Sequence, residues 1–192
     1  MTRIVAGFAG SLTIAVPPHG TRPTSDRVRE AIFSALNARG LLDGASVLDL
    51  YAGSGALGVE AASRGARWVV LVDDSAGAAK VCRANAAIIL GRAPKGSALR
   101  IDVAHQCAQA FLGANHDAWD IVLIDPPYDL GEPELLRTLE LLVPRLAPDG
   151  VVCLERASRS PEPELPDGMV RERRKDYGDT TLWWLSPVSD SP

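Results

Sequence analysis

The chain has 192 residues, 46% of them hydrophobic and 23% charged, which is typical of a globular domain with a sizeable core. This length predicts one domain, or one domain with a short extension. No apolar run approaches the ~18 residues of a membrane span, and residues 1–5 lack the apolar core of a signal peptide. We therefore expect a cytoplasmic protein without membrane contact. The formal net charge of −4 argues against a large nucleic-acid-binding surface.

The cysteines Cys82, Cys107 and Cys153 lie far apart and show no Cys-x-x-Cys spacing. Each falls in a predicted helix or strand, so we expect three buried, reduced thiols. The three histidines are equally scattered. The sequence predicts neither a disulfide framework nor a metal site.

The amino-terminal region predicts a small β-hairpin around residues 7–11, followed by a helix over about 25–38. Thr24 can cap that helix and Gly40 can end it. Its apolar residues recur at helical spacing and form one stripe: Val28, Ala31, Ile32, Ala35 and Leu36. Residues 1–42 carry five arginines against two carboxylates, a local charge of +3. Such a patch can attract phosphates, although solvent-exposed helix faces often carry the same charge pattern without binding a phosphate.

From residue 45 onward, β-branched runs alternate with helical stretches. The predicted strands are 46–50, 68–72, 98–102, 120–125 and 150–155, and the predicted helices are 56–64, 75–90, 104–112 and 132–146. This alternation predicts βαβ units and a parallel sheet. Pro144 is expected to kink or shorten the last helix. Segments 169–177 and 180–185 flank Gly178-Asp179, which predicts a terminal hairpin with one antiparallel strand.

A glycine-rich turn follows the first strand of the predicted sheet. Residues 47–58 read Val-Leu-Asp-Leu-Tyr-Ala-Gly-Ser-Gly-Ala-Leu-Gly, a strand, a turn and the start of a helix. Its glycines let the backbone come within contact distance of a ligand. Asp73 ends the next strand, where a carboxylate accepts hydrogen bonds from ribose hydroxyls. Asp102, at the predicted end of the third strand, or the backbone next to it is expected to contact an adenine.

A nicotinamide dinucleotide and S-adenosylmethionine compete as ligands of this turn. Asp49 stands at the strand end, four residues before Gly53. An anion there would repel a pyrophosphate, but it suits the amino acid part and the sulfonium of S-adenosylmethionine. The pattern therefore favours the methyl donor. The predicted cofactor-binding residues are Asp49, Ala52, Gly53, Gly55, Asp73, Asp102 and Asp125.

Residues 120–128, Asp-Ile-Val-Leu-Ile-Asp-Pro-Pro-Tyr, predict a buried strand that stops against two prolines. The prolines hold an extended turn just past the carboxyl end of the strand, where open α/β sheets bind ligands. Asp125, Pro126, Pro127 and Tyr128 in this setting resemble the signature of methyltransferases that act on an exocyclic amine of a nucleic-acid base. They are the predicted catalytic residues. A structural turn with a surface tyrosine is the plainer interpretation of the motif alone.

With both motifs in place, the chain resembles the RsmD-type family of bacterial 16S rRNA guanine-N2 methyltransferases from about Arg3 to Trp184. The resemblance is carried by residues 22–33 (Arg-Pro-Thr-Ser-Asp-Arg-Val-Arg-Glu-Ala-Ile-Phe), 49–58, 125–128 and 177–180. It implies an α/β, Rossmann-like class I S-adenosylmethionine-dependent methyltransferase fold, with a seven-stranded, mostly parallel sheet and an antiparallel terminal hairpin. It also implies S-adenosylmethionine as cofactor and the N2 amine of a guanine in 16S rRNA as target.

One departure from the family concerns residues 6–12, which carry no charge where a basic cluster is usual. We therefore expect Arg22, Arg27 and Arg29 to contact RNA phosphates. The expected partner is 16S rRNA, presented within a partly assembled small ribosomal subunit, and the expected oligomeric state is a monomer. The expected organisation is an amino-terminal extension (1–42), a methyltransferase domain (43–186) and a disordered tail (187–192).

Other functions remain open from the sequence. Methylation of an adenine amine in DNA uses similar chemistry, and a non-catalytic nucleic-acid-binding module could keep the same fold. Carbon-5 methylation of cytosine is disfavoured because Tyr128, not a cysteine, follows the two prolines. A dehydrogenase would give no account of the residues at 125–128.

Overall fold

The structure of the chain, a computed structural model, is described for residues 1–17 and 25–188. A two-stranded hairpin of β1 (Thr2–Arg3) and β2 (Thr13–Ile14) precedes helix α1 (Asp26–Ala38). Strands and helices then alternate: β3 (Ser46–Leu50), α2 (Ala56–Ser63), β4 (Trp68–Asp73), α3 (Ala76–Leu90), β5 (Arg100–His105), α4 (Ala108–Ala114), β6 (Trp119–Ile124) and α5 (Glu132–Leu142). A 3-10 turn (Val143–Arg145) leads into β7 (Leu146–Ala157), β8 (Met169–Tyr177) and β9 (Thr180–Pro187).

The main sheet has seven strands in the order β5-β4-β3-β6-β7-β9-β8. The first five in this order are parallel, and β9 runs antiparallel to both β7 and β8. The chain reverses its direction across the sheet between β5 and β6, which puts the switch point beside β3. The prediction of a mostly parallel seven-stranded sheet with an antiparallel terminal hairpin is confirmed.

The apolar side chains of the sheet alternate between two cores. One core packs against α1, α2, α3 and the amino-terminal hairpin, and it includes Val47, Leu71, Ile121, Cys153 and Trp184. The other packs against α4 and α5, and it includes Leu50, Val72, Ile124, Leu154 and Trp183. Because both faces are covered, the central strands read as nearly continuous apolar runs. Polar side chains of the central strands can therefore reach solvent or a ligand only at the strand ends.

Several local expectations were right and others were not. The hairpin around residues 7–11 is present, and α5 stops at Leu142, just before Pro144. The cap of α1 is Ser25, whose Oγ accepts a hydrogen bond from Val28 N at 3.2 Å, whereas Thr24 lies outside the described residues. The third strand begins at residue 100 and runs to 105, not 98–102.

The amino-terminal hairpin is bound by buried polar side chains of α2 and α3. The Glu60 carboxylate is fully buried and accepts hydrogen bonds from Val5 N at 2.7 Å and Ala6 N at 3.0 Å. Asn85 is also fully buried, and its side chain exchanges two hydrogen bonds of 3.0 Å with the backbone of Ala15. These contacts fix the segment against α2, which begins at the glycine-rich turn, and against α3.

At the other end of the chain, Pro187 still pairs with Met169 in the sheet. The expected disordered tail of 187–192 is therefore wrong at its first residue, and residues 189–192 lie outside the described part. None of the helices in the described ranges is long and apolar enough to cross a membrane.

Candidate active site

Three parallel strands end at the same level of the sheet. Leu50 at the end of β3 is in register with Val72 of β4 and with Ile124 of β6. The next residues along these two neighbours are Asp73 and Asp125. The glycine-rich turn that follows Leu50 therefore lies between two carboxylates, at the edge where open α/β sheets bind ligands.

Left-handed backbone conformations shape this turn. Gly53 and Gly55 have φ values of 58° and 75°, and Tyr51 adopts φ 62°, a region that residues with a Cβ seldom enter. Gly53 N donates to Asp73 Oδ2 at 2.8 Å, and Ala52 N donates to Val72 O at 2.9 Å. Asp73 and the end of β4 thus fix the conformation of the turn.

Asp73 also accepts a hydrogen bond from Ser75 N at 2.9 Å through Oδ1, so both of its oxygens are oriented by backbone N–H groups. Each oxygen of an ionised carboxylate retains a further lone-pair site after one such bond. The adjacent Asp74 is exposed, as its place in the strand register predicts. Asp73 is therefore the carboxylate at this strand end that can accept from a ligand hydroxyl.

The third glycine of the turn, Gly58, brings α2 close to the sheet. A Cβ built on Gly58 would lie 2.2 Å from Leu71 Cδ2 and 3.0 Å from Val69 Cγ1, so a side chain here would push the helix away. Gly58 N donates to Asp49 Oδ2 at 2.8 Å. The close packing of the helix thus provides the backbone donor that holds Asp49.

Asp49 is fully buried, and burial raises its pKa to about 8, with Asp125 and Asp73 adding to the rise by repulsion and the Gly58 hydrogen bond opposing it. The three side chains lie at the ends of β3, β4 and β6, near enough for Asp73 and Asp125 to raise the pKa of Asp49. A cationic ligand would favour the ionised form of Asp49, whereas a pyrophosphate would oppose it. The electrostatics of the site therefore fit a sulfonium and an ammonium group.

The raised pKa of Asp49 predicts a pH dependence of stability. Between pH ~4 and the folded-state pKa of about 8, the unfolded chain releases the Asp49 proton while the folded chain keeps it. The free energy of unfolding should therefore fall as pH rises through this window, by at most ~1.4 kcal/mol per pH unit from this group. Asp49→Asn should remove that part of the slope, which urea unfolding at pH 5, 7 and 9 would measure. Identical slopes for both proteins would contradict the assignment.

The segment after β6 presents the predicted catalytic residues in different environments. Asp125 is half-buried, Pro126 is buried, and Pro127 and Tyr128 are exposed, with 62% of Tyr128 accessible. Leu130 N donates to Pro127 O at 3.0 Å, which closes the turn. The segment thus offers a carboxylate at its base and an aromatic side chain at its rim.

Arg156, near the end of β7, was not predicted from the sequence but holds this segment in place. Its buried guanidinium donates to Leu130 O at 3.3 Å and to the Glu132 carboxylate. The loop after Asp125 is therefore tied at its far end to the sheet. The available signal was the pair of charged residues Glu155 and Arg156 directly after the apolar run 151–154.

Two further unpredicted side chains fix the glycine-rich turn. The Tyr51 hydroxyl lies 3.2 Å from Thr138 Oγ1 on α5, and Asn85 Nδ2 donates to Ser54 O at 2.8 Å. Asn85 occupies a core position of α3, between Cys82 and Ile89. A polar residue in that apolar stripe was the signal that could have indicated it.

Asp102 does not lie where the sequence placed it. β5 continues for three residues beyond Asp102, so the side chain stands inside the strand and not at its carboxyl end. Its carboxylate accepts from Trp68 Nε1 at 2.8 Å and pairs with Arg100 Nε at 2.6 Å. The expected strand end at Asp102 is therefore wrong, and its contact with an adenine stays a prediction. His105 and Gln106 occupy the strand end instead, and Gln106 N donates to Asp73 O at 3.1 Å.

The predicted arginine cluster is not assembled as expected. Arg29 is buried, and its guanidinium donates to Arg3 O at 2.7 Å, Thr2 Oγ1 at 3.1 Å and Asp26 Oδ1 at 2.6 Å. It anchors β1 to α1, so its expected outward projection is wrong. Arg27 is exposed, and Arg22 lies outside the described residues.

The expectation of three buried thiols is also wrong, because Cys107 is exposed.

Comparison with known proteins agrees with this architecture. The sequence model of the family described as "Conserved hypothetical protein 95" matches residues 2–186. "Ribosomal RNA small subunit methyltransferase D" of Escherichia coli strain K12 is 34% identical over 180 residues, which cover 92% of this chain and 85% of that protein. The chain belongs to the family that this sequence model describes. "Putative rRNA methyltransferase YlbH" of Bacillus subtilis is 30% identical over 179 residues, 93% of this chain and 95% of its own length.

Among solved structures, "Putative methyltransferase yhhF from Escherichia coli" superposes with a TM-score of 0.81 at 29% identity, covering 96% of this chain and 97% of its own. The family has the class I S-adenosylmethionine-dependent methyltransferase fold that the strand order and directions show here. The resemblance inferred from residues 22–33, 49–58 and 125–128 is confirmed at the level of the family.

Proposed function

We propose that this protein transfers a methyl group from S-adenosylmethionine to the exocyclic N2 amine of a guanine in 16S rRNA. The observation that carries the proposal is the arrangement of the Asp125 carboxylate beside Asp49 and Asp73, with the exposed Tyr128 three residues further on. Relatives named as small-subunit rRNA methyltransferases, at about a third identity over nearly the whole chain, support the substrate class.

The residues at the strand ends fit S-adenosylmethionine as cofactor. Gly53 and Gly55 allow the left-handed backbone of the turn, Asp73 can accept from ribose hydroxyls, and the three carboxylates suit a cationic ligand. When bound, the cofactor would supply an electrophilic methyl group. A ligand cation near Asp49 would lower the pKa of its carboxyl from about 8, so binding at neutral pH would release a proton.

Asp125 would act on the target amine. The lone pair of an exocyclic amine is delocalised into the ring, which makes it a poor nucleophile. Hydrogen bonds from its two N–H groups to the Asp125 carboxylate and the Pro126 carbonyl would favour a pyramidal nitrogen with an available lone pair. This interaction strengthens as positive charge develops on nitrogen, so it lowers the barrier more than it tightens binding.

Tyr128 and the proline turn would position the base. A base must leave its stack to reach a site at the end of a strand, which costs a few kcal/mol. An aromatic ring that is 62% exposed beside Asp125 offers a stacking surface that offsets part of this cost. Pro127 restricts the backbone before Tyr128 and so limits the entropy lost on stacking.

The presentation of the target is part of the proposal. With a net charge of −4 and Arg29 buried, the amino-terminal region offers little basic surface to bind naked RNA. We propose that a monomer acts on 16S rRNA within a partly assembled small subunit, where ribosomal proteins help to present the guanine.

The test is methylation of unmodified 16S rRNA, supplied naked and in partly assembled subunits, followed by mapping of the modified base. N2-methylguanine at one position, formed faster in the subunits, is the expected product. Methyladenine formed in DNA but not in rRNA would favour the DNA enzyme. Absence of S-adenosylmethionine binding in calorimetry would leave the non-catalytic module.

A further inference from the structure

The edge strand β8 carries the densest positive charge of the described chain. All residues from Val170 to Asp176 are exposed, and they include Arg171, Arg173, Arg174 and Lys175 against two carboxylates. Four cations and two anions give this seven-residue stretch a net charge of +2, within a protein of net charge −4. This exposed stretch of β8, residues 170–176, is called the basic edge.

The neighbouring carboxylates do not neutralise the basic edge. Among the described residues, Glu172 pairs with Arg39, Arg171 pairs with Glu162, and Arg174 lies 3.3 Å from Asp176. Arg173 and Lys175 take part in no ion pair within the described ranges. These two side chains therefore keep their charge available for a partner.

The sheet register places the basic edge level with the candidate active site. Ile124 is in register with Leu154 of β7, which is in register with Trp183 of β9, which faces Arg174 of β8. Asp125 and Lys175 follow by one residue, so they stand at the same level, three strand spacings apart. Three spacings of about 4.8 Å put their backbones roughly 14 Å apart. An RNA strand whose base reaches Asp125 would extend over this distance within a few nucleotides.

Aromatic rings hold two of the cations in place. The Arg174 guanidinium lies 5.1 Å from the centre of the Trp183 ring, and Lys175 Nζ lies 5.1 Å from the centre of the Tyr177 ring. Stacking on a ring restricts these long side chains, and the Lys175 ammonium keeps its donors available because it is in no ion pair among the described residues. Such preorganisation reduces the entropy lost when a phosphate binds.

Charged residues on an edge strand also prevent pairing with another sheet. That role explains a charge anywhere on the edge, but it does not require one sign. It also gives no reason for the unpaired cations to lie at the level of Asp125. An RNA backbone accounts for both the sign and the position.

We propose that the basic edge, with Arg173 and Lys175 at its centre, binds the phosphates of the rRNA that flanks the target base. This proposal rests on the proposed function and assigns part of the RNA contact to the carboxyl-terminal hairpin. It shifts the electrostatic attraction away from the amino-terminal region, where Arg29 serves the fold.

The test compares two double variants with the same change of charge. Arg173→Ala/Lys175→Ala alters the basic edge, and Arg92→Ala/Lys95→Ala removes two exposed cations from the segment before β5, at the opposite edge of the sheet. The first variant should bind unmodified 16S rRNA about tenfold more weakly at low salt. Its slope of log K against log salt should fall by about 1.5, the value for two lost phosphate contacts. The control variant should match the wild type.

Thermal unfolding and S-adenosylmethionine affinity should be unchanged in both variants. Equal RNA affinity and equal salt slopes for the two variants would overturn the proposal. Self-association of Arg173→Ala/Lys175→Ala without a loss of RNA affinity would also overturn it, and would assign the charges to edge protection. A wild-type protein that neither binds nor methylates 16S rRNA would instead refute the proposed function itself.

Discussion

Asp125→Ala is expected to lower turnover about 1,000-fold while the affinity for S-adenosylmethionine changes by no more than a few fold. Loss of one acceptor that acts on the developing charge in a transition state commonly costs 10²–10³ in rate. The Asp125→Ala substitution removes a strong hydrogen-bond acceptor from the target amine. It also removes the electrostatic repulsion between Asp125 and Asp49 in the site without ligand. The change should therefore appear in kcat and not in cofactor binding.

Single-turnover methylation of unmodified rRNA, together with calorimetry, would separate the two effects. Asp129→Ala is the matched control, because Asp129 is an exposed carboxylate in the same loop and its removal changes the net charge equally. Asp125→Asn keeps one acceptor oxygen and should retain more activity than Asp125→Ala. A fully active Asp125→Ala protein would refute the assignment of Asp125 to the reacting amine.

Asp73→Ala is expected to weaken S-adenosylmethionine binding about 100-fold. Hydrogen bonds to a charged group contribute roughly 1.5–3 kcal/mol each, and the ribose would lose this partner. The substitution also releases Gly53 N and Ser75 N, which Asp73 holds at 2.8 and 2.9 Å, so the turn would be less well ordered before binding.

Asp74→Ala provides the comparison for this experiment. It removes the same charge one residue further along, from a side chain that faces solvent. Calorimetry should show near wild-type affinity for Asp74→Ala, with both variants unfolding cooperatively. If the two variants bound the cofactor equally well, long-range charge and not the geometry of Asp73 would explain the site.

The sequence predicted the fold well because its signals are local. Apolar runs such as 121–124 have no polar alternation, and the turns at 53–58 and 126–127 are built from glycine and proline. Each of these signals depends on the conformation of a few neighbouring residues. Asp49, Asp73 and Asp125 follow from such signals, and the structure brings their carboxylates together.

The wrong predictions concern the residue at which a strand ends and the side chains that a helix buries. A charged residue is disfavoured inside a strand, so Asp102 looked like a strand end, yet Trp68 and Arg100 satisfy it within β5. Arg29 lies next to the apolar residue Val28, at the border of the buried stripe, and only the docking of β1 decides that it points inward. Contacts between residues far apart in sequence leave no local pattern.

The binding of the amino-terminal segment by Glu60, Asn85 and Ser63 has a consequence for how relatives can diverge. Ser63 Oγ, on α2, accepts from Ala9 N at 3.0 Å and donates to Ala6 O at 2.6 Å. Asn85, on α3, contacts Ala15 of that segment and Ser54 of the glycine-rich turn. Each of these hydrogen bonds reaches a backbone N–H or C=O of the amino-terminal segment, which almost any amino acid supplies. The side chains of this segment are therefore free to diverge between relatives, whereas a change of Glu60, Ser63 or Asn85 would leave buried backbone groups without partners.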